Sequence, residues 1–144
     1  MTEGEPKVTQ GVHLHLLTIF PDFFEGPLGI SLLGKAIKEG QIGVTCHNIR
    51  DQAEDRYGTV DDSPYGGGSG MVMTPGPIVS TLEGVDDAVG TRAHRILLTP
   101  SGTPLRQAHL RRWSTLEHLA IVCGRYEGID ARVGDHFVDE EISL

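Results

Sequence analysis

The 144-residue sequence predicts one α/β domain, a parallel-rich sheet flanked by helices. Two observations support this fold class. Short, continuously apolar segments recur along the chain, and they are typical of strands that are buried on both faces. Segments with helical periodicity lie between them, and strands that are connected through helices pair in parallel. The length suits one domain with a buried core.

Two strands and a helix are predicted in the first half of the chain. Residues 12–20 begin with alternating polarity and become continuously apolar, which indicates a buried strand, and residues 42–49 form a second strand. Between them, Ser31 is a suitable helix N-cap and Gly40 a suitable stop after the last turn. Residues 50–70 show no periodicity, and a loop of this length is usually functional or disordered. The apolar residues on one face of the helix are Leu32, Leu33, Ala36 and Ile37.

Strands and helices also alternate in the second half. A helix covers residues 75–83 after a threonine cap, and residues 94–99 form a strand that a "PSG" turn ends. The Thr-Pro pair at 103–104 then supplies the N-cap and first residue of another helix. Residues 118–123 form a further apolar strand. After a short helical turn, the last strand begins within residues 136–144.

The charge distribution leaves nucleic-acid binding open. The net charge of −8 argues against a polyanionic partner, but residues 91–132 contain seven arginines and only three acidic side chains. Such a segment can contact phosphates, and it can equally be a solvated helix face.

The remaining composition restricts location and processing. No apolar run approaches the roughly 18 residues that a membrane span needs. Cys46 and Cys123 form no CxxC pair, which predicts reduced thiols and a cytoplasmic protein. Residues 1–11 are polar and acidic, so we expect a disordered leader rather than a signal peptide.

Two glycine-bearing loops follow predicted strands, and we expect them to meet at one edge of the sheet, where α/β domains bind ligands. They have the sequences "LLTPSGTP" and "CGRYEG", and neither fits a dinucleotide or P-loop motif. In the second, Gly124 permits close backbone approach, Arg125 is a planar cation, Tyr126 can stack on a base, and Glu127 can read its N–H edge. The alternative is an ordinary polar loop whose charges face solvent.

A third feature is the glycine-rich stretch "DDSPYGGGSGM" at residues 61–71. Holding so many glycines in one conformation costs much entropy, so the stretch is either a flexible linker or a surface that a ligand approaches closely. The histidines show no zinc-ligand spacing, and we predict no metal site.

These motifs together resemble a known family. "FPDFF", "TVDDSPYGGGSGM", "LLTPSG", "VCGRYEGIDARV" and "VDEEIS" are similar, in order and spacing, to the bacterial tRNA (guanine-N1)-methyltransferases. The resemblance covers about residues 16–144. It implies transfer of a methyl group from S-adenosylmethionine to the guanine 3′ of the anticodon, position 37, in tRNA. It also implies a SPOUT-type fold with a trefoil knot, a homodimer, and magnesium as an assisting ion.

The resemblance also assigns roles to residues of this chain. The two strand-end loops bind the cofactor, and the glycine-rich stretch forms a wall against which the flipped guanine is held. The implied catalytic residues are Arg125, Glu127 and Asp61. The implied cofactor-binding residues are Leu97, Leu98, Thr99, Pro100, Gly102, Gly124, Glu127 and Leu144. The implied tRNA-binding residues are Asp61, Tyr65, Gly68, Ser69, Gly70 and Tyr126.

The chain departs from the family pattern in two respects. Ser69 stands where proline is usual, and Leu97 and Ser101 replace the tyrosine and glutamine of some members. The family also continues beyond Leu144, with a segment that completes the knot and a tRNA-binding domain that carries the general base. We therefore expect residues 12–144 to be an N-terminal cofactor-binding domain with an incomplete knot, inactive by itself. The rival interpretation is a non-catalytic binding or dimerisation module.

Overall fold

The fold was analysed in a computed structural model that describes residues 11–53, 55, 58–62, 72–124 and 128–144. Several residues singled out in the sequence lie outside these ranges. They are the leader up to residue 10, Tyr65, Gly68, Ser69, Gly70, Arg125, Tyr126 and Glu127.

Five parallel strands form the main sheet, which confirms the predicted fold class. Their order across the sheet is β2-β1-β6-β5-β7, and all four pairings are parallel. β3 and β4 form a separate antiparallel ribbon. The strands are β1 (His13–Thr18), β2 (Gly43–Asn48), β3 (Asp61–Asp62), β4 (Val72–Met73), β5 (His94–Pro104), β6 (His118–Val122) and β7 (Glu140–Ser143).

Helices and short 3-10 turns connect the strands. No helix among the described residues is long and apolar enough to cross a membrane. The helices are α1 (Glu25–Leu28), α2 (Ser31–Lys38), α3 (Pro75–Val89), α4 (Gln107–Trp113) and α5 (Ala131–His136). The 3-10 turns are Pro21–Phe24 and Ile49–Gln52.

The core has two parts because neighbouring residues of a buried strand face opposite sides of the sheet. On β5, Leu97 belongs to the larger cluster, which includes Leu82 of α3, whereas Ile96 belongs to the cluster around Trp113 of α4. Both strand residues are at most 4% exposed. The continuously apolar segments of the sequence therefore cover both faces of one sheet.

Helix α2 differs from the prediction. The residue before its first turn is Ile30, which has extended backbone angles, and Ser31 is the first helical residue rather than the cap. The helix buries none of its side chains, and Leu32 is 80% exposed. Its apolar stripe therefore lies on the surface of this chain.

The predicted helix start at residues 103–104 is wrong, because tertiary strand pairing overrides the local capping signal. β5 extends to Pro104, which pairs with Ser143, and α4 begins only at Gln107. The expected end of the strand is visible as a register shift: both Leu98 and Thr103 pair with Ile142. β7 thus lies against both arms of the loop formed by residues 98–103.

Candidate functional site

A cleft of about 630 Å³ lies at the carboxyl ends of β5, β6 and β7. It is lined by the loop after Leu98 and by the segment after Val122, so the predicted meeting of the two loops is confirmed. Pro100 and Gly124 are both part of its wall. Of the residues expected to bind the cofactor, the lining includes Leu97, Leu98, Thr99, Pro100, Gly124 and Leu144.

Sequence reasoning missed much of the opposite wall. Ile129 and Asp130 precede α5, Gly134 lies within it, and all three line the cleft. Glu141 and Ser143 of β7 line it as well. The spacing of two between the β7 residues could have been used to find them, because alternate residues of a strand share one face.

Gly102 lies outside the cleft, at the back of the 98–103 loop. A β-carbon built at this glycine would lie 2.6 Å from the backbone nitrogen of Ile142 and 2.6 Å from the backbone carbon of Glu141. Real β-carbons do not approach backbone atoms so closely. Gly102 therefore lets the loop pack directly on β7, and the two strand arms hold the cleft wall in place.

Asp130 fixes the start of α5 beside the cleft. Its carboxylate is 5% exposed and accepts hydrogen bonds from the Arg132 backbone nitrogen at 2.9 Å and from Nη2 at 2.7 Å. The Arg132 side chain lowers the pKa of this carboxyl, against the opposing effect of its desolvation. Asp130 is thus an ionised anchor for the helix, and its oxygens are already engaged.

The β3–β4 ribbon connects Asp61 to the same region. Asp61 pairs with Met73, whose backbone nitrogen donates to the Gly128 carbonyl at 3.0 Å. The Asp130 backbone nitrogen in turn donates to the Met73 carbonyl at 2.9 Å. The strand that carries Asp61 is therefore joined to the cleft wall through Met73, which is fully buried.

Behind the cleft, Glu140 ties β7 to α4 and β5. Arg112 donates to both carboxylate oxygens, at 3.0 and 2.6 Å, and Trp113 Nε1 donates at 2.9 Å. His94 Nε2 lies 2.5 Å from the same carboxylate. Arg112 is the main cause that lowers the pKa of Glu140 to about 2, and His94 and Trp113 add to the effect.

A second cleft, of about 760 Å³, adjoins the first and shares Cys123 and Gly124 with it. It lies beyond the carboxyl ends of β1 and β2, and its wall includes Phe20 and Phe23, which are 48% and 72% exposed. Burial, with a smaller contribution from Cys46, raises the pKa of the Cys123 thiol to about 11. The thiol between the two clefts is therefore protonated at neutral pH and is not a nucleophile.

The described part of the chain contains no group of three or more histidine, cysteine, aspartate or glutamate side chains that could hold a metal ion. Arg125, Tyr126 and Glu127, together with the expected tRNA wall at residues 65–70, lie outside the described residues. Their assigned roles stay predictions.

Comparison with known sequences identifies a matching family. The family model described as "tRNA (Guanine-1)-methyltransferase TrmD" matches residues 12–144. A tRNA (guanine-N(1)-)-methyltransferase from Chloroflexus aggregans is 47% identical over 129 residues, which are 90% of this chain and 51% of the relative. One from Citrifermentans bemidjiense is 50% identical, with the same coverage. The chain spans about half the length of these curated relatives.

A solved structure gives the same result for the fold. The crystal structure of a tRNA (m1G37) methyltransferase from Aquifex aeolicus superposes with a TM-score of 0.82 at 38% sequence identity. The match covers 92% of this chain and 59% of that chain. The parallel sheet flanked by helices is thus the SPOUT-type arrangement that the sequence motifs imply.

Proposed function

Because this chain belongs to the tRNA (guanine-1)-methyltransferase family, we propose that it forms the S-adenosylmethionine-binding part of an enzyme that methylates N1 of guanine 37 in tRNA. The observation that supports this most strongly is the cleft that joins the Pro100 and Gly124 loops. Both loops carry family motifs, and they meet where open parallel sheets bind their ligands.

The cleft fits the proposed cofactor in size and chemistry. A volume of about 630 Å³ lies within the range of ligand pockets, roughly 300–1,000 Å³. Leu97, Leu98 and Ile129 supply apolar surface for an adenosine, and Glu141 is a carboxylate in the lining, suited to a cationic group. When bound there, S-adenosylmethionine would supply an electrophilic methyl group on a positively charged sulfonium.

The residues of the chain would orient the reaction rather than form a covalent intermediate. The protonated Cys123 thiol makes transfer through a cysteine thiolate unfavourable, which favours direct transfer to N1. N1 must lose its proton, and charge develops on the guanine oxygen. Arg125 is the proposed donor to that oxygen, and Glu127 and Asp61 are the carboxylates assigned to the site. The family resemblance assigns the proton acceptor to a further C-terminal region.

The second cleft is a suitable position for the target base. Donor and acceptor must lie side by side for methyl transfer, and the two clefts share Cys123 and Gly124. Phe20 and Phe23 offer exposed rings on which unstacked bases can stack. Asp61 lies on the ribbon that is hydrogen-bonded through Met73 to Gly128, in the wall of the first cleft.

The proposed partners follow the family as well. tRNA is the substrate, the protein acts in the cytoplasm, and two copies form a homodimer. Magnesium is the assisting ion that the family implies, and we assign no step to it, since the described ranges contain no group of three or more histidine, cysteine, aspartate or glutamate side chains that could hold a metal ion. The rival function, a non-catalytic binding or dimerisation module, keeps the fold but predicts no cofactor binding.

Calorimetric titration with S-adenosylmethionine and an assay with unmodified tRNA test the proposed function. We expect the chain to bind the cofactor weakly and to show no methylation by itself. In the full-length version of the enzyme, Asp61→Ala should lower tRNA methylation about tenfold and leave cofactor affinity nearly unchanged. Absence of any cofactor binding would favour the non-catalytic module. Turnover comparable to a complete enzyme would show that the base lies within these residues.

The homodimer has its own test at α2. Ile30 and Leu32 are 64% and 80% exposed, and an apolar surface of this kind is typical of a protein interface. We expect sedimentation analysis of the chain at about 100 μM to give twice the monomer mass of 15.6 kDa. Leu32→Asp should yield monomers, and the control Leu110→Asp, at an exposed leucine of α4, should not. Equal masses for the two variants would exclude α2 from the interface.

A further inference from the structure

Four histidines that are scattered in the sequence meet on one face of the sheet. His13 and His15 lie on β1, His47 on β2 and His118 on β6, and we call them the histidine cluster. His15 is at the centre: its Nδ1 lies 3.0 Å from His47 Nε2, and its Nε2 lies 3.2 Å from His118 Nδ1. The rings of His13 and His15 stack with centroids 4.5 Å apart. His13 Nε2 also contacts the Thr45 hydroxyl at 2.7 Å.

The hydrogen bonds of His15 suit neutral rings. A neutral imidazole has one donor and one acceptor nitrogen, so His15 can donate to one neighbour and accept from the other. A protonated His15 has two donors, and any second proton in the cluster would place like charges in adjacent rings. His15 is only 4% exposed, so water cannot compensate for this repulsion.

The surrounding charges offer little compensation. From α3, Asp86 is the acidic group that acts on His15, and its carboxylate already binds Arg95 at 2.7 Å and the Ala93 backbone nitrogen at 2.8 Å. The other acidic residues of α3, Glu83 and Asp87, are exposed to solvent. β6 carries no titratable side chain besides its histidine. On β2 the only other one is Cys46, which is adjacent to His47 and therefore faces the opposite side of the sheet.

The pKa values agree with this geometry. Burial, followed by the charges of the neighbouring histidines, lowers the pKa of His15 to about 3. Burial also lowers the pKa of His13 and His47 below the ordinary value of 6.5. At neutral pH these three rings are therefore uncharged.

We propose that the histidine cluster is an acid-sensitive lock, which joins β1 to β2 and β6 while its rings are neutral and loosens this half of the sheet when they are protonated. The lock is separate from the proposed cofactor cleft, which lies at the carboxyl ends of β5, β6 and β7. It holds β1 from both sides, and β1 also contacts α3.

The direction of the pH effect follows from proton linkage. The unfolded chain binds protons at its histidines below about pH 6.5, and the folded chain resists them, so stability is greatest above that pH and is lost as pH falls. Between pH 7.5 and 5.5, each histidine that remains neutral in the folded state should raise the unfolding equilibrium constant roughly tenfold. The usual carboxylates titrate below this range.

Urea unfolding at pH 7.5 and 5.5 tests the proposal on the whole chain. We expect the urea concentration at the unfolding midpoint to be clearly lower at pH 5.5 than at pH 7.5. In His15→Leu, the change in the unfolding equilibrium constant between the two pH values should be roughly tenfold smaller. His136→Gln is the control, because it removes an exposed histidine of α5 outside the cluster, and it should retain more of the pH effect than His15→Leu. Equal pH dependence in the His15→Leu and His136→Gln variants would overturn the proposal.

Imidazole nitrogen NMR of the unaltered chain gives a result even if His15→Leu does not fold. At pH 5.5 we expect His15 to show the shifts of a neutral ring, and His13 and His47 to be less protonated than a histidine of ordinary pKa. Titration of these three near pH 6.5 would contradict the lock.

Discussion

Replacing Gly102 with alanine is expected to reduce S-adenosylmethionine affinity by more than tenfold and to destabilise the fold by about 1–3 kcal/mol. The added β-carbon would lie 2.6–2.7 Å from backbone atoms of Glu141 and Ile142. Because those atoms belong to a strand paired on both sides of the loop, the strain cannot be relieved by a side-chain rotation. β7 would have to move away, and Leu97, Leu98 and Ser143 of the cleft wall would move apart. Calorimetry and urea unfolding measure the two effects.

Gly84→Ala is the matched control for this prediction. A β-carbon at Gly84, inside α3, meets nothing within 4 Å, so the substitution should stabilise the helix by up to about 1 kcal/mol and leave cofactor binding unchanged. If Gly102→Ala binds cofactor as tightly as Gly84→Ala, the close approach of the loop to β7 is unimportant for the site.

Glu140→Gln should lower the free energy of unfolding at pH 7 by about 2–3 kcal/mol. The side chain of Glu140 is 19% exposed, and its carboxylate forms hydrogen bonds with Arg112, Trp113 and His94. An uncharged amide cannot satisfy all three partners. Since the neighbouring β7 residues Glu141 and Ser143 line the cleft, cofactor affinity should fall as well. Thermal unfolding with and without S-adenosylmethionine measures both changes.

The pH dependence of the free energy of unfolding distinguishes loss of the Glu140 hydrogen bonds from a general loss of packing. The folded-state pKa of Glu140, about 2, lies below the ordinary glutamate value of 4.5, so its stabilisation is present above about pH 4.5 and is lost as pH falls towards 2. The Gln variant should lack this part of the acid transition. Glu83→Gln, at an exposed position of α3, should keep it. The same acid transition in both variants would mean that Glu140 carries no special stabilisation.

The sequence was sufficient to predict the strands and the cleft because their signals are local. Apolar runs locate β1, β2 and β6 to within one or two residues, and glycine-bearing loops after two strands indicate the ligand edge. The start of α4 was mispredicted because pairing of Pro104 with Ser143 decides it, and this contact spans about forty residues. The histidine cluster was missed for the same reason, since His47 and His118 reach His15 only through the register of three strands.

The position of β7 between the arms of the 98–103 loop has a consequence for the order of folding. The contacts of Ile142 with Leu98 and Thr103 close a large loop in the chain, and such contacts form late because their entropic cost comes first. During synthesis β5 and β6 leave the ribosome before β7, so the cleft can exist only after β7 has joined the sheet. A ligand of the cleft would then bind only molecules in which β7 is paired with β5. It would raise their apparent stability in proportion to the logarithm of its concentration.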